Sequence, residues 1–213
     1  MESTVPHPRR PLASEDSHHG EDSAGPEDPV QRWYVNALGW AAVRGTPARP
    51  AQLLTGLRFD VLEMPAEAGR EVLRRLPLRC PVAVQGRRMR LLVAAGSADE
   101  LPGLLDWLEW GTLPLDLRAI GAGGRFDAPL PPGRPVPGGR VGPRGAAVWL
   151  RPPEPGCAVE PTLPAPPFLA APTAQGGVGG APDLVRLVDT AATQCHRVRL
   201  GRARDQRWAS SYA

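Results

Sequence analysis

The order of short apolar segments between residues 57 and 128 constrains the fold of this chain more than any single motif. Runs rich in strand-forming residues alternate there with segments whose apolar residues recur at helical spacing. The predicted elements are a strand at 57–64, a helix at 66–76, strands at 80–85 and 88–94, a helix at 98–110 and a strand from 115. This order is typical of the split β-α-β arrangement of ferredoxin-like and RRM-like domains. The sequence therefore predicts an α+β fold with helices on one face of a sheet.

Two local signals predict where these helices begin. Pro65 is expected at the first helical position, where its missing N–H costs nothing. Ser97 and Glu100 have the spacing of a capping box. In the second helix, Trp107 and Trp110 are interpreted as core residues rather than as a platform for stacking bases.

The segment LDLRAIGAGGRFDAPLPPG, residues 115–133, has two interpretations. In the first it is a hairpin whose turn uses the positive φ angles that glycine adopts without strain, at Gly121, Gly123 and Gly124. In the second, a strand holds Asp116 and Arg118 beside a loop thin enough for a phosphate group to approach.

Further elements are expected on both sides of this region. They are a helix from Asp28-Pro29 to Gly39, a short strand at 40–43, a loop at 44–56 and a strand at 146–150. The predicted organisation is a disordered acidic leader at 1–29, a folded domain at 30–155, a Pro/Gly-rich linker at 156–181, a C-terminal helix at 182–200 and a basic tail at 201–213. The apolar stripe of the C-terminal helix is expected to dock on the domain; its members are Leu184, Leu187, Val188, Ala191 and Cys195.

Composition and charge exclude several classes of protein. The 213 residues include 27 Pro and 24 Gly, so part of the chain is not expected to pack. Because no apolar run approaches 18 residues and no signal peptide is recognised, we expect a cytoplasmic protein with no membrane partner. Three cysteines without a Cys-x-x-Cys pair favour neither a disulfide framework nor a zinc site. All 25 basic residues are arginine. Five of them crowd the C-terminal end, which can contact a polyanion or is simply solvated; they are Arg197, Arg199, Arg202, Arg204 and Arg207.

Four stretches and a trailing segment occur in the order of a known family. They are ALGWAAV (37–43), FDVLEMPAEAG (59–69), RRMRLLVAAG (87–96), LDLRAIGAGG (115–124) and GPRGAAVWLRPP (142–153). This combination resembles the N-terminal prim-pol domain of bifunctional DNA primase/polymerases, in the archaeo-eukaryotic primase superfamily. The resemblance covers roughly residues 30–155. It implies a primase palm with an RRM-like core and template-directed DNA or RNA synthesis with Mg²⁺ or Mn²⁺.

The resemblance also implies a site. In the family three carboxylates hold two divalent ions, which activate the attacking hydroxyl and stabilise the leaving oxygen, and a histidine contacts the triphosphate. Two of the carboxylates correspond to Glu63 and Asp116, which are therefore the predicted catalytic and metal-ligating residues. The other carboxylate falls on Pro65 and the histidine on Met89, and neither supplies that chemistry. Asp60 cannot replace the missing carboxylate, because its odd spacing from Glu63 places it on the opposite face of the strand.

The remaining predicted site residues contact phosphates. The nucleotide-binding set is Arg88, Arg118, Gly123 and Gly124, and the nucleic-acid-binding set is Arg87 and Arg90. Structural alternatives stay open. In these alternatives, Glu63 is only the polar end of a strand. Arg87, Arg88 and Arg90 form a solvated strand edge, and Arg118 pairs with Asp116 or Asp127.

Two of the four family positions are intact, so the preferred interpretation is a degenerate family member. It would retain the fold and bind nucleotides, DNA or RNA weakly and electrostatically, with a replication helicase as a candidate partner. One alternative is an active nucleotidyltransferase that uses Glu63, Asp116 and an unrecognised third ligand. Another is a non-catalytic adaptor whose acidic leader and arginine-rich end recruit partners.

Overall fold

The computed structural model describes residues 28–135, 145–166 and 183–210, which form two antiparallel sheets and four α-helices. The helices are α1 (Pro29–Leu38), α2 (Ala66–Arg75), α3 (Ser97–Trp107) and α4 (Leu184–Ser210), with a 3-10 helix at Glu160–Thr162. The strands are β1 (Ala42–Val43), β2 (Gln52–Leu54), β3 (Phe59–Pro65), β4 (Val82–Gln85), β5 (Arg88–Ala94), β6 (Arg118–Ile120), β7 (Arg125–Asp127) and β8 (Val148–Arg151). The predicted α+β class is confirmed.

The larger sheet has the strand order β6-β3-β5-β4-β8, and all its neighbours are antiparallel. The chain runs through β3, α2, β4, β5, α3 and β6 in turn. This is the split β-α-β order that the sequence predicts, with β8 added at one edge. The two central strands, β3 and β5, pair over seven residues and form the middle of the molecule.

One face of this sheet is covered by α2, α3 and α4. Met64 on β3 and Met89 on β5 lie opposite each other and point into this layer. Met89 packs so closely on α2 that a Cβ added at Gly69 would lie 2.3 Å from its sulfur. The predicted apolar stripe of the C-terminal helix is buried and α4 contacts α2, α3 and β3, so the expected docking is confirmed.

The other face is partly covered by a small sheet with the order β1-β2-β7 and by an aromatic cluster. Phe59 of β3 contacts Trp40 and Phe126, at centroid distances of 4.7 and 6.4 Å. Tyr34 of α1 donates its hydroxyl to the Pro129 carbonyl at 2.6 Å and accepts from Trp149 Nε1 at 2.9 Å. These contacts hold α1 and β7 against the large sheet, to which β8 belongs.

The small sheet overturns two expectations. Residues 44–56 were expected to be loop but contain β2, which pairs with both β1 and β7. The predicted hairpin at 115–133 does not form, because β6 pairs with β3 in the large sheet whereas β7 pairs with β2 in the small one. The segment with Gly121, Gly123 and Gly124, here called the glycine patch, therefore forms a corner between the two sheets. Only Gly123 of its three glycines has a positive φ, at 72°.

The starts of α2 and α3 also differ from the predictions. Pro65 is the last residue of β3 and precedes α2 rather than beginning it. In α3 the capping box is not formed: Ser97 is the first helical residue, and its buried hydroxyl has no partner among the described residues. The cap comes from the sheet instead, because Asp60 Oδ2 accepts a hydrogen bond from the Ala98 N–H at 2.9 Å.

The prediction of two core tryptophans on α3 is wrong for Trp107, which is 72% exposed. Trp110 lies just beyond the helix and is partly buried. Its indole Nε1 donates to Asp189 of α4 at 3.1 Å, and its ring lies 5.9 Å from that of His196. Trp110 therefore joins α4 to the end of α3.

The described residues after β8 contain elements that the composition of this region does not predict. Residues 156–166, assigned to the linker, include the 3-10 helix and the buried side chains of Val159 and Leu163. The rest of that linker and most of the predicted leader lie outside the described residues. The C-terminal helix continues to Ser210, ten residues beyond its predicted end at 200 and into the predicted basic tail. Among the described helices, none combines the length and the apolar character needed to cross a membrane.

Candidate anion-binding site

Glu63 lies in the middle of a cluster of arginine side chains, although it is completely buried. The strand register places Arg90 of β5 opposite it on one side and Arg118 of β6 opposite it on the other. Arg90 Nε donates to Glu63 Oε2 at 2.7 Å. Arg118 donates to Oε1 through Nε at 2.8 Å, and its Nη2 lies 2.6 Å from the same oxygen. Both carboxylate oxygens are therefore held by guanidinium groups.

A third arginine links Glu63 to Asp116. Arg88 Nη1 donates to Asp116 Oδ1 at 2.6 Å, and Arg88 Nε lies 3.5 Å from Glu63 Oε1. Arg88 is opposite Pro65 at the end of β3, so the strand register aims it toward the segment that precedes β6. The structure thus brings Glu63 and Asp116 to one site, but a guanidinium joins them.

The cluster continues through amide side chains to the small sheet. Arg90 Nη1 donates to Gln85 Oε1 at 2.7 Å, and Gln85 Nε2 donates to Asp127 Oδ2 at 2.9 Å. Gln52 of β2 donates to the other oxygen of Asp127 at 3.3 Å. The guanidinium of Arg90 also lies 5.6 Å from the centre of the Phe126 ring. Sequence reasoning did not assign these two glutamines to the site, because nothing in the local pattern of β2 or β4 shows that they meet across two sheets.

Exposure increases steadily across the three arginines. The side chains of Arg90, Arg88 and Arg118 are 12%, 32% and 63% exposed. The contacts to Glu63 use Nε and Nη2 of Arg118 and leave Nη1 as a donor, and the contacts of Arg88 leave its Nη2. Around Glu63 and Asp116, three guanidinium groups face two carboxylates, a formal excess of one positive charge; the Asp127 carboxylate lies beyond Gln85. The open side of the site therefore presents guanidinium donors, which suit an oxyanion.

The donor set does not fit the divalent ions that the resemblance implies. Mg²⁺ and Mn²⁺ need carboxylate or carbonyl oxygens that are free to point at the ion. Here both oxygens of Glu63 and one of Asp116 already accept from guanidinium groups, whose charges would repel a cation. Within the described ranges, no group of three His, Cys, Asp or Glu side chains has the arrangement of a metal site.

Of the two family positions that have lost their residue, Met89 lies differently from what the resemblance implies and Pro65 does not. Met89, which occupies the histidine position, is buried on the helical face of the sheet, whereas Glu63 points to the other face. A histidine at 89 would face α2 and could not contact a triphosphate beside Glu63. Pro65 does share the face of Glu63, and together with Asp116 it lines a small cavity against α4.

The predicted phosphate-binding glycines lie away from Asp116. Asp116 precedes β6 and the glycine patch follows it, so the two are at opposite ends of that strand. The N–H of Gly124 already donates to the Gly121 carbonyl at 3.0 Å, and Thr55 Oγ1 donates to that carbonyl at 2.5 Å. Gly123 has open space around it. The patch therefore mainly allows a tight corner.

The sequence predicts that Arg87, Arg88, Arg90 and Arg118 contact phosphates or nucleic acid, and the structure agrees with this only in part. Arg87 is exposed in the β4–β5 turn and accessible to nucleic acid. The Arg90 guanidinium is not accessible, because Glu63 and Gln85 hold it between them. The alternative of a solvated strand edge is wrong, since β5 is flanked by β3 and β4. Arg118 pairs with Glu63 rather than with Asp116 or Asp127.

Asp60 faces the opposite side of β3 from Glu63, as its spacing predicts, and is buried beneath the start of α3. Burial raises the pKa of its carboxyl above the ordinary aspartate value, and hydrogen bonds from backbone N–H groups, first that of Ala98, only partly oppose this. Its role is to cap α3.

Comparison of the chain with protein families, with curated proteins and with solved structures finds no match.

Proposed function

We propose that this chain is a prim-pol-like domain that has lost nucleotidyl transfer and binds the phosphates of nucleotides or nucleic acid without a divalent ion. The observation that carries the proposal is the pairing of buried Glu63 with Arg90 and Arg118. In an active centre of this kind, the carboxylate would hold a metal ion that neutralises phosphate charge. Here guanidinium groups occupy the place of the cation and supply positive charge themselves.

The buried carboxylate has a physical role in such a site. Arginine side chains lose substantial rotamer entropy when they are ordered. Glu63 fixes Arg90 and Arg118 through its two carboxylate oxygens before any ligand binds, so less entropy is lost when a phosphate contacts the open edge of Arg118 and Arg88. The fold supports this proposal through its split β-α-β order, which is compatible with a primase palm. A replication helicase remains the proposed partner.

A nucleotide-binding titration tests the proposal. Binding of a fluorescent nucleoside triphosphate is measured with excess chelator, with Mg²⁺ and with Mn²⁺. We expect binding in all three conditions and no incorporation of labelled nucleotide into a primed template. Binding that requires metal, or incorporation that Asp116→Ala abolishes, would contradict the proposal and favour the active nucleotidyltransferase. Absence of any binding to nucleotide or nucleic acid would favour the adaptor.

A pair of variants localises the binding. Arg118→Gln removes a partly exposed guanidinium from the site, and Arg70→Gln removes an exposed arginine on α2, on the other side of the sheet. Since hydrogen bonds to charged groups contribute about 1.5–3 kcal/mol, Arg118→Gln is expected to weaken binding about tenfold or more. Arg70→Gln is expected to change it less than about twofold. Equal effects of the two would show that only overall charge matters.

A further inference from the structure

The docking face of α4 changes character halfway along the helix. Its first half buries the apolar stripe that ends at Cys195. Continued at helical spacing, the same face carries Val198, Arg199, Arg202 and Gln206. Arg199 and Arg202 on this continuation are exposed, so the helix face passes from buried apolar side chains to solvent-accessible guanidinium groups.

This cationic part of α4 faces a cavity rather than packed side chains. The cavity has a volume of about 250 Å³ and lies between α4 and the end of β3. Its α4 wall includes Cys195, Arg199 and Arg202, and its opposite wall includes Pro65 and Asp116. The Cys195 sulfur is 3.8 Å from the Asp116 carbonyl oxygen, which fixes how closely α4 approaches the strand end.

The charge in the cavity is positive on balance. Asp116 is the acidic residue in its wall, and Arg88 already holds that carboxylate at 2.6 Å. Arg202 has a 3.5 Å contact with Glu67, whose side chain is 61% exposed, so this pair is weak. Burial raises the pKa of the Cys195 thiol to about 12, so the thiol is neutral and does not compete with an anion.

We infer that this cavity binds a phosphate group, which Arg199 and Arg202 of α4 hold, while Arg88 neutralises the Asp116 carboxylate in the opposite wall. The volume accommodates one or two phosphate groups but is below the roughly 300 Å³ of the smaller organic-ligand pockets. A nucleotide would therefore insert its phosphates and leave its sugar and base outside. The inference rests on the proposed function and deepens it, because it adds the arginines of α4, which lie across Asp116 from Arg88, to the groups that bind phosphate.

Charge-matched double variants on two faces of α4 test this inference. Arg199→Gln/Arg202→Gln removes the cavity arginines. Arg197→Gln/Arg204→Gln removes the same charge from exposed positions on the opposite side of the helix. Calorimetry in chelator measures binding of pyrophosphate, of a nucleoside triphosphate and of the corresponding nucleoside. Circular dichroism checks that each variant is folded.

The cavity variant is expected to bind pyrophosphate and the triphosphate at least tenfold more weakly, while the opposite-face variant changes by less than about twofold. The nucleoside is expected not to bind. Equal losses in both double variants, or binding of the nucleoside alone, would overturn the inference. If Arg118→Gln weakens binding but the cavity variant does not, the cavity inference fails and the proposed function stands. If the cavity variant weakens binding but Arg118→Gln does not, the phosphate site lies at α4 alone.

Discussion

At Glu63 the neighbouring residues on two other strands decide the chemistry of a carboxylate. A glutamate at the end of a strand is compatible with a metal site, a solvated surface or an ion pair. Arg90 and Arg118 stand opposite it in the register, and their guanidinium groups fill both of its oxygens. The carboxylate therefore orients arginines, and the site that resembles a cation centre in sequence is cationic in structure.

Asp60 illustrates the other outcome for a buried carboxylate on the same strand. One of its oxygens accepts the Ala98 N–H, but the other has no partner among the described residues, and no cation is paired with it in that part of the chain. Its desolvation is therefore poorly compensated, which is why its pKa is raised. A raised acid pKa means that the folded state binds the proton more tightly than the unfolded chain.

We predict that Asp60→Asn leaves stability at pH 7 unchanged or higher. Because the folded pKa is raised, wild-type stability should fall as pH rises from about 3.9, the ordinary aspartate value, through the folded pKa. The asparagine oxygen keeps the cap on α3 and should flatten this fall. Urea unfolding at several pH values measures both effects. Asp60→Ala, which removes the cap, should be about 1 kcal/mol less stable than Asp60→Asn; equal stability of the two would contradict the capping role.

At the scale of elements, the corner between β6 and β7 decides how the two sheets meet. Thr55 donates its N–H to the Gly124 carbonyl and its hydroxyl to the Gly121 carbonyl there, and Gly56 lies against Ala122. A Cβ added at Gly56 would lie 2.3 Å from the Ala122 Cα, and the φ of Gly56 is +89°. The corner is close because no side chain separates its two segments.

We predict that Gly56→Ala destabilises the protein much more than Gly123→Ala. Both glycines have a positive φ, and that strain costs an alanine about 1–2 kcal/mol. A Cβ at Gly123 meets nothing within 4 Å, whereas one at Gly56 overlaps the backbone of Ala122. Gly56→Ala should therefore lose at least twice as much free energy of unfolding as Gly123→Ala in urea titrations. Similar losses would mean that the two segments separate easily.

At the scale of the whole molecule, cationic groups collect at one end of the large sheet. Arg88 and Arg118 reach it from the strands, Arg87 from the β4–β5 turn, and Arg199 and Arg202 from α4. The net charge of the chain is only +3, so this accumulation comes from the fold and not from composition. A polyanion would be attracted mainly to this end.

We predict that binding to single-stranded DNA is independent of sequence and weakens steeply with salt. If three to five of these arginines contact phosphates, counterion release gives a slope of roughly −2 to −3.5 in log affinity against log salt. Affinity should then fall roughly 20-fold to 100-fold between 50 and 200 mM salt. Fluorescence anisotropy with two oligonucleotides of different sequence measures it. A flat salt dependence would indicate base stacking instead, and a marked preference for one oligonucleotide would indicate base-specific contacts.

The sequence by itself determined the elements of the large sheet and the helices on it, since these depend on apolar periodicity within short segments. It also identified the α4 stripe and the start of α1 at Asp28, where a side-chain cap acts over two residues. It missed β2, because three residues carry too little periodicity to be recognised. It also assigned the cap of α3 to Ser97, because local spacing does not reveal the true cap, Asp60, which lies 38 residues before the Ala98 N–H that it accepts.

Only the tertiary structure decided which face and which partners each site residue has. Met89 and Arg90 are adjacent in sequence, yet they point to opposite faces of the sheet because side chains alternate along a strand. Glu63, Arg118 and Gln85 meet because three strands align in one register, and that register is set by the packing of the entire core. Local sequence carries no information on such long-range pairings, and for that reason a predicted metal site is an arginine cluster in the folded protein.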